Sequence, residues 1–428
     1  MNLTVKPAGF LKGSVELPPS KSYTIRALMV AAVGGTSRIT NPSYCDDALV
    51  ALKTARSLGA RVIHENQKTL VLFANKNKSQ PKQINVGESG TVLRFLLPLA
   101  ALRGKVVKII GEGTLRFRPN FYLIQVLREM GVDIAGRREK QCVPIEIRGG
   151  CLNGGRVEID GSLSSQFISA LLIACPSLSH DTRLHIKGKQ IVSKTYITMT
   201  RQVLKKAGIQ IVPKGGRGFH IPGHQQFKGL KNFIVPSDYG LAAFLIAAAA
   251  LTESDVILTG YLQDNLIQSD GAILNFVKKM GVKFTKTSRA IHIQGPFQLK
   301  GGSFSLKDCP DLLPILSILA LFAKGKTRFY DIGHARVKES DRISDLRGEL
   351  LKVNARVFEK ENEMTIEPQP FYKNDCLLDP HHDHRLAMAF CILGLKLGVR
   401  IKDIECVAKS YPDFVRDIHK IGVKTIKG

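Results

Sequence analysis

Apolar and polar positions along the chain sort into two interleaved series of helical segments. Members of the first open on a polar or charged residue and run on as an almost wholly apolar stretch. They are SKSYTIRALMVAA from Ser20, ESGTVLRFLLPLAAL from Glu88, SLSSQFISALLIA from Ser162, SDYGLAAFLIAAAAL from Ser237, DCPDLLPILSILALFA from Asp308 and HDHRLAMAFCILGL from His382. Members of the second are amphipathic and close on a small turn residue, at Gly59, Gly131, Gly208, Gly281, Asn354 and Gly422. Gly or Asn just past a helix supplies the left-handed residue that ends it. Short β-branched runs such as VVKII, VEID and DVILTG lie between the helices, and a repeat of roughly 70 residues emerges. Each unit reads β-α-β-α-β-β. A helix that is apolar on all sides must be covered on all sides, so three units are expected to close around their apolar helices.

Six units then predict an α/β fold of two pseudo-threefold domains, each of three βαβαββ repeats packed around buried helices and joined by a two-crossing hinge. The domains are placed at 18–234 and at 1–17 with 235–428, the second discontinuous. The opening Thr4–Val5 and Val15–Leu17 runs are expected to complete the last repeat's sheet. Two crossings suit closure of the two halves around a ligand.

Composition changes this picture little. The 428 residues are 44% hydrophobic and 23% charged, as in folded soluble proteins. The longest apolar runs are too short for a bilayer, and the opening residues lack the apolar core of a signal peptide. No membrane association and a cytoplasmic location are therefore expected. Eight scattered cysteines without a CxxC pair read as reduced core residues. A net charge of +26 fits nucleic acid, small anionic substrates or a lysine-rich solvated surface. The densest basic stretches, Lys76–Lys82 and Arg137–Lys140, fall in expected loops without interleaved aromatics, so charge alone does not decide.

The starts of the apolar helices carry more information. Helix N-termini bind anions through free N–H groups and the helix dipole. Ser20-Lys21-Ser22 with Arg26, Gly87 to Thr91 with Arg94, Ser164-Ser165-Gln166, and Asp383-His384-Arg385 all stand at such starts. Ser, Thr and Asp there are ordinary caps. A cation there opposes the dipole, so Lys21, Arg94 and Arg385 point to a bound anion. Loop cations Arg118, Lys338, Arg342 and Lys409 add to the set. Asp311 and Glu339 stand among them, either as salt-bridge partners or as an acid/base pair. The tract His381-His382-Asp383-His384 resembles a metal cluster, but consecutive residues point different ways; no metal is expected.

The motifs PPSKSYTIRAL, ESGTVLRFL, LRFRP, SLSSQFISALL, YITMTRQVLKKAGI, ARVKESDRI, DHRLAMAF and AKSYPDF, in this order and over essentially the whole chain, resemble the 5-enolpyruvylshikimate-3-phosphate synthases of the enolpyruvyl transferase family. The resemblance implies transfer of the enolpyruvyl group of phosphoenolpyruvate to the 5-hydroxyl of shikimate 3-phosphate, with release of phosphate and without a cofactor. It places Lys21, Ser22, Arg26, Ser164, Ser165, Gln166, Ser193, Tyr196, Asp311, His334 and Lys338 at shikimate 3-phosphate. Lys21, Gly90, Arg118, Gln166, Arg342, Arg385 and Lys409 would hold phosphoenolpyruvate. Asp311 would take the hydroxyl proton, and Glu339 with Lys21 would manage the methylene proton and phosphate departure. A monomer is expected.

Three positions depart from the family pattern. Glu88 replaces a usual Asn, which bears on substrate affinity and on the response to the inhibitor glyphosate. His334 replaces a frequent Asn, and SDYGLAAF lacks a Ser pair after Asp238. The related transferase acting on UDP-N-acetylglucosamine is disfavoured, because Lys21 is followed by Ser and Gly111–Arg118 holds no Cys. RNA binding would call for stacking aromatics, which make up only 7% of the chain without any Trp. A catalytically dead binding protein would not be expected to retain Lys21, Asp311, Glu339 and Lys409 together.

Overall fold

The structure, a computed structural model, describes residues 1–75 and 80–428; part of the basic stretch Lys76–Lys82 lies outside the described residues. Both series of segments are helical. The apolar series forms α1 (Lys21–Ala31), α3 (Gly90–Ala101), α5 (Ser165–Ala174), α7 (Tyr239–Leu251), α9 (Leu313–Leu321) and α11 (His384–Leu397). The amphipathic series forms α2 (Asp46–Ser57), α4 (Phe121–Glu129), α6 (Lys194–Lys206), α8 (Ile273–Lys279), α10 (Ser344–Lys352) and α12 (Phe414–Lys420). Every residue of α7 and α9 is buried, and Lys396 is the exception in α11. In the fifth segment the helix begins late. Pro310 and Pro314 lack the N–H that an earlier turn would use, and Pro310–Leu312 is a 3₁₀ turn leading into α9.

The turns after the amphipathic helices are left-handed, with φ of 96° at Gly59, 98° at Gly131, 84° at Gly208, 101° at Gly281, 62° at Asn354 and 94° at Gly422. Each turn brings the chain back for an antiparallel strand pair.

The chain divides into two compact units, residues 19–235 and residues 1–18 with 236–428. Each unit holds three four-stranded sheets. The second repeat typifies the register: Gln83–Asn85 runs parallel to Val107–Ile110, which pairs antiparallel with Cys142–Gly150, itself antiparallel to Val132–Arg137. Within residues 19–235, α3 packs on α1 and α5; within the other unit α7, α9 and α11 pack on one another. The buried helices are thus the core of each unit, and the sheets cover them.

The opening strands correct one expectation. Leu3–Val5 does complete the last repeat, pairing with both Val399–Ile401 and Thr425–Lys427. Phe10–Glu16, which contains Val15, instead runs parallel to Glu253–Thr259 in the fourth repeat's sheet. The first repeat takes its edge strand from Phe233–Ile234, parallel to Thr36–Thr40. Strand Phe10–Glu16 stops before Pro18 and Pro19, which cannot donate to a ladder. Its burial alternates, with Leu11 and Val15 inward, so it fits the apolar face of any sheet in the molecule.

Candidate functional site

Residues 19–235 bring together Lys21, Ser22, Arg26, Gly90, Arg118, Ser164, Ser165, Gln166, Ser193 and Tyr196 as parts of four local arrangements. Ser20 caps α1, its Oγ accepting from the Tyr23 amide at 3.5 Å, and this places Lys21 in the first turn. Its Nζ meets the Asp47 carboxylate at 3.0 Å, with both side chains largely buried. One turn on, Arg26 is 2% exposed. It donates to Thr200 Oγ1 at 2.9 Å, the Ser22 carbonyl at 2.9 Å and the Tyr196 carbonyl at 3.3 Å. Burial pushes its guanidinium down to about 10, which still leaves it charged at neutral pH. Ser193, in a left-handed conformation, starts α6 and sets Tyr196.

Ser164 caps α5 by accepting from the Gln166 amide at 3.3 Å. Gln166 then donates to Thr91 Oγ1 at 2.9 Å and accepts from Arg94. Arg94 also donates to Asn120 Oδ1 at 3.3 Å and the Pro119 carbonyl at 3.2 Å. It lies a turn inside α3 and is occupied by protein acceptors, so the anion expected from its position is not needed to explain it. Its effect is to orient Gln166. At the start of α3, a Cβ on Gly90 would come within 2.7 Å of Arg118 Nη1, so the glycine lets the guanidinium lie on the backbone. Gly90→Ala is expected to leave the fold intact, because only a flexible side chain must move. It should displace the Arg118 guanidinium from the backbone at the start of α3.

Glu88 is half-buried, and its carboxylate lies over the Cα of Gly113, whose φ of 49° favours glycine there. The acidic side chain is thereby packed against the turn that leads to Arg118.

The other unit joins Asp311, Lys338, Glu339, Arg342 and Arg385 in one network. Arg342 is 1% exposed. It donates from Nη1 to Asp311 at 2.6 Å, from Nη2 to Glu339 at 2.7 Å, and from Nε to Asp383 at 2.7 Å. Asp311 also meets Arg385 Nη2 at 3.1 Å and Lys338 Nζ at 3.4 Å. Asp383 is fully buried and caps α11, accepting from the Arg385 amide at 2.8 Å. Burial alone would raise the Asp311 carboxyl, but Arg385, Lys338 and Arg342 hold it well below the usual carboxylate range. Arg342 is pushed well up: burial opposes its charge, and Asp383, Glu339 and Asp311 outweigh it. His334 is buried beside Lys338 and Asp311 without a hydrogen-bond partner for either ring nitrogen. Burial first, then Lys338, push its imidazole down to about 3, so it is neutral. Lys409 ends the 3₁₀ turn Ile404–Lys409, which packs against α11, and is 7% exposed.

Sequence reasoning missed three carboxylates as partners of these cations: Asp47 on Lys21, Asp383, read only as a cap, on Arg342, and Asp270, 3.5 Å from Arg385. Asp47 and Asp383 stand at helix starts, where an acid is unremarkable. In the histidine tract, His381 meets Glu349 at 3.2 Å and His382 meets Asp403 at 2.6 Å. Among the described residues no group of three or more His, Cys, Asp or Glu could hold a metal ion, and no helix is long and apolar enough to cross a membrane.

Comparison with known proteins identifies the family. The family model described as EPSP synthase (3-phosphoshikimate 1-carboxyvinyltransferase) matches residues 5–418. The 3-phosphoshikimate 1-carboxyvinyltransferase of Methanosarcina mazei is 36% identical over 97% of this chain and 96% of its own length. That of Clostridium beijerinckii is 34% identical over 98% and 97%. The solved EPSP synthase of Acinetobacter baumannii superposes with a TM-score of 0.81 at 26% identity, covering all of both chains. The enolpyruvyl transferase NikO of Streptomyces tendae shares the fold, with a TM-score of 0.79 at 18% identity over 99% and 98% of the chains. The chain belongs to the EPSP synthase (3-phosphoshikimate 1-carboxyvinyltransferase) family, an enzyme family of aromatic biosynthesis that transfers the enolpyruvyl group of phosphoenolpyruvate to shikimate 3-phosphate.

Proposed function

We propose that Asp311 takes the proton of the 5-hydroxyl of shikimate 3-phosphate, while Glu339 with Lys21 manages protonation of the methylene carbon of phosphoenolpyruvate and departure of phosphate. Arg342, Arg385, Lys409, Arg118, Gly90, Gln166 and Lys21 take phosphoenolpyruvate. Lys21, Ser22, Arg26, Ser164, Ser165, Gln166, Ser193, Tyr196, Asp311, His334 and Lys338 take shikimate 3-phosphate. Residues 19–235 thus carry most of the shikimate 3-phosphate contacts, and the other unit much of the phosphoenolpyruvate set.

The observation that supports this reading best is the shared guanidinium of Arg342, which donates to Asp311 and Glu339 at once. The methylene carbon of phosphoenolpyruvate must gain a proton as its neighbouring carbon is attacked by the hydroxyl, so an acid and a base must act together. In the addition, Asp311 accepts the hydroxyl proton while a proton from the Glu339 and Lys21 side reaches the methylene carbon. In the elimination the carboxylate of Glu339 takes a proton back from the methyl group as the carbon–oxygen bond to phosphate breaks, and phosphate departs among cations.

Charge balance adds a control. Arg385, Lys338 and Arg342 depress Asp311, which makes it a weak base. Anionic substrate groups on those cations neutralise them, so the basicity of Asp311 rises as substrates bind. His334, being neutral, offers one N–H donor without adding to the positive charge.

Mixing purified protein with both substrates should release phosphate and give the enolpyruvyl product; no turnover at micromolar enzyme would sink the reading. The steps proposed use proton transfer and cations alone, so EDTA should leave the rate unchanged. Replacing Glu88 by Asn removes a carboxylate packed against the turn that leads to Arg118. It should lower the KM for phosphoenolpyruvate severalfold and change glyphosate inhibition, both read from initial rates. No change in either makes the position irrelevant. The eight cysteines are free thiols, six of them buried, which suits a reducing cytoplasm. A monomer is proposed, and gel filtration should give the mass of one chain.

A further inference from the structure

Arg385 is shaped from several sides. Asp270, in the 3₁₀ turn Ser269–Ala272 ahead of α8, is 5% exposed. Its Oδ2 is 3.5 Å from Arg385 Nη2, the nitrogen that meets Asp311 at 3.1 Å. Arg385 Nη1 donates to the carbonyl of Gly240 at 3.3 Å and of Asp311 at 3.4 Å. Gly240, at the start of α7, makes room: a Cβ there would collide with the Asp270 carboxylate and come within 3.1 Å of both Arg385 Nη1 and Asp238 Oδ1. Three chain segments distant in sequence therefore fit around one guanidinium carried by α11.

No step of the proposed chemistry uses Asp270. A buried carboxylate next to other carboxylates is costly, so its presence in this place needs a reason. We propose that Asp270 is a positioning residue, which fixes the guanidinium of Arg385 in the orientation that receives phosphoenolpyruvate. This rests on the assignment of Arg385 to that substrate.

The charged and titratable groups facing Asp270 are Arg385 from α11, Asp311 and Cys309 from the turn before α9, Asp238 from the start of α7, and Lys338. Burial pushes the Asp270 carboxyl up to about 7; Arg385 opposes this, Asp311 and Asp238 add to it, and Lys338 opposes it. Protonated, Asp270 still offers Arg385 an acceptor without competing as an anion. Ionised, it neutralises part of the guanidinium and repels the substrate.

The test measures kcat, both KM values and direct calorimetric binding of phosphoenolpyruvate, for wild type, Asp270→Asn and Asp270→Ala, from about pH 6 to about pH 8. In wild type the KM for phosphoenolpyruvate should rise with pH. Asp270→Asn, which keeps an acceptor but cannot ionise, should flatten that rise. Asp270→Ala should raise this KM about tenfold over wild type at about pH 6 and, having no carboxyl to ionise, leave it flat with pH, with kcat and the KM for shikimate 3-phosphate changed less than about twofold. An unchanged phosphoenolpyruvate KM in Asp270→Ala overturns the proposal, as does an equal rise in both KM values, which marks a scaffold role. Wild type that binds phosphoenolpyruvate without turnover defeats the catalytic assignment and leaves this one to be judged by the binding constants. Wild type that does not bind it overturns both.

Discussion

Asp311→Asn should lower kcat by about 10²–10⁴-fold, the usual worth of a positioned general base, while the protein stays folded and the KM for phosphoenolpyruvate does not rise. The substitution keeps the shape of the side chain and removes one negative charge from among Arg342, Arg385 and Lys338. Those cations then hold an anionic substrate at least as well, yet nothing accepts the hydroxyl proton. Loss of kcat without loss of affinity is thus the signature of the base, and loss of affinity with kcat retained would assign Asp311 to binding instead. Arg342 keeps Glu339 and Asp383 in the variant, which limits the structural damage. A second readout is stability against pH. The folded carboxyl lies well below its ordinary value, so the unfolded state binds more protons as pH falls through the unfolded pKa near ~3.9. The stabilisation from Asp311 is therefore present in full above that pH and is lost as pH falls toward the folded pKa. Asp311→Asn should flatten the acid limb of the Tm–pH curve in differential scanning calorimetry.

Much of the fold was legible because two local signals agree. The apolar runs fix which helices are interior, and the residues in the left-handed turns, from Gly59 to Gly422, fix where the others stop. The partner of strand Phe10–Glu16 was not legible, since a one-sided alternation suits any sheet with an apolar face. What selects the fourth repeat is long-range pairing with Glu253–Thr259, which no local pattern records.

The site divides in the same way. Cations at helix starts are visible because they violate a local preference: Lys21 and Arg385 lie in first turns where the dipole disfavours them. The inference fails for Arg94, a turn further in, where Asn120, Gln166 and the Pro119 carbonyl take the guanidinium. The anions that hold the cations obey every local preference and so give no sign of themselves. Lys21 and Asp47 are 26 residues apart, Arg342 and Asp383 are 41, and Arg385 and Asp270 are 115. Such pairs could be suspected only from the rule that a buried charge requires a partner, once burial of the cations was known.

Asp383→Ala should be the most destabilising single change at the site, costing about 3–5 kcal/mol, with Tm lowered by several degrees. The side chain is 0% exposed. It accepts from Arg342 Nε at 2.7 Å and from the backbone amide of Arg385, at the start of α11, at 2.8 Å. Its removal leaves a guanidinium buried with less counter-charge and takes the cap from a helix whose other residues, Lys396 apart, form the core of their unit. Asp383→Asn separates the two effects, because an amide can still cap the helix but cannot neutralise Arg342. If the ion pair dominates, Asn should recover only about 1 kcal/mol of the loss, the usual worth of the cap. Recovery of nearly all of it in a denaturation series would instead make Asp383 chiefly a cap. In both variants Arg342 turns further toward Asp311 and Glu339, its remaining carboxylates. That shift should lower kcat as well, because it ties the proposed base and acid more tightly to the guanidinium from which substrate must release them.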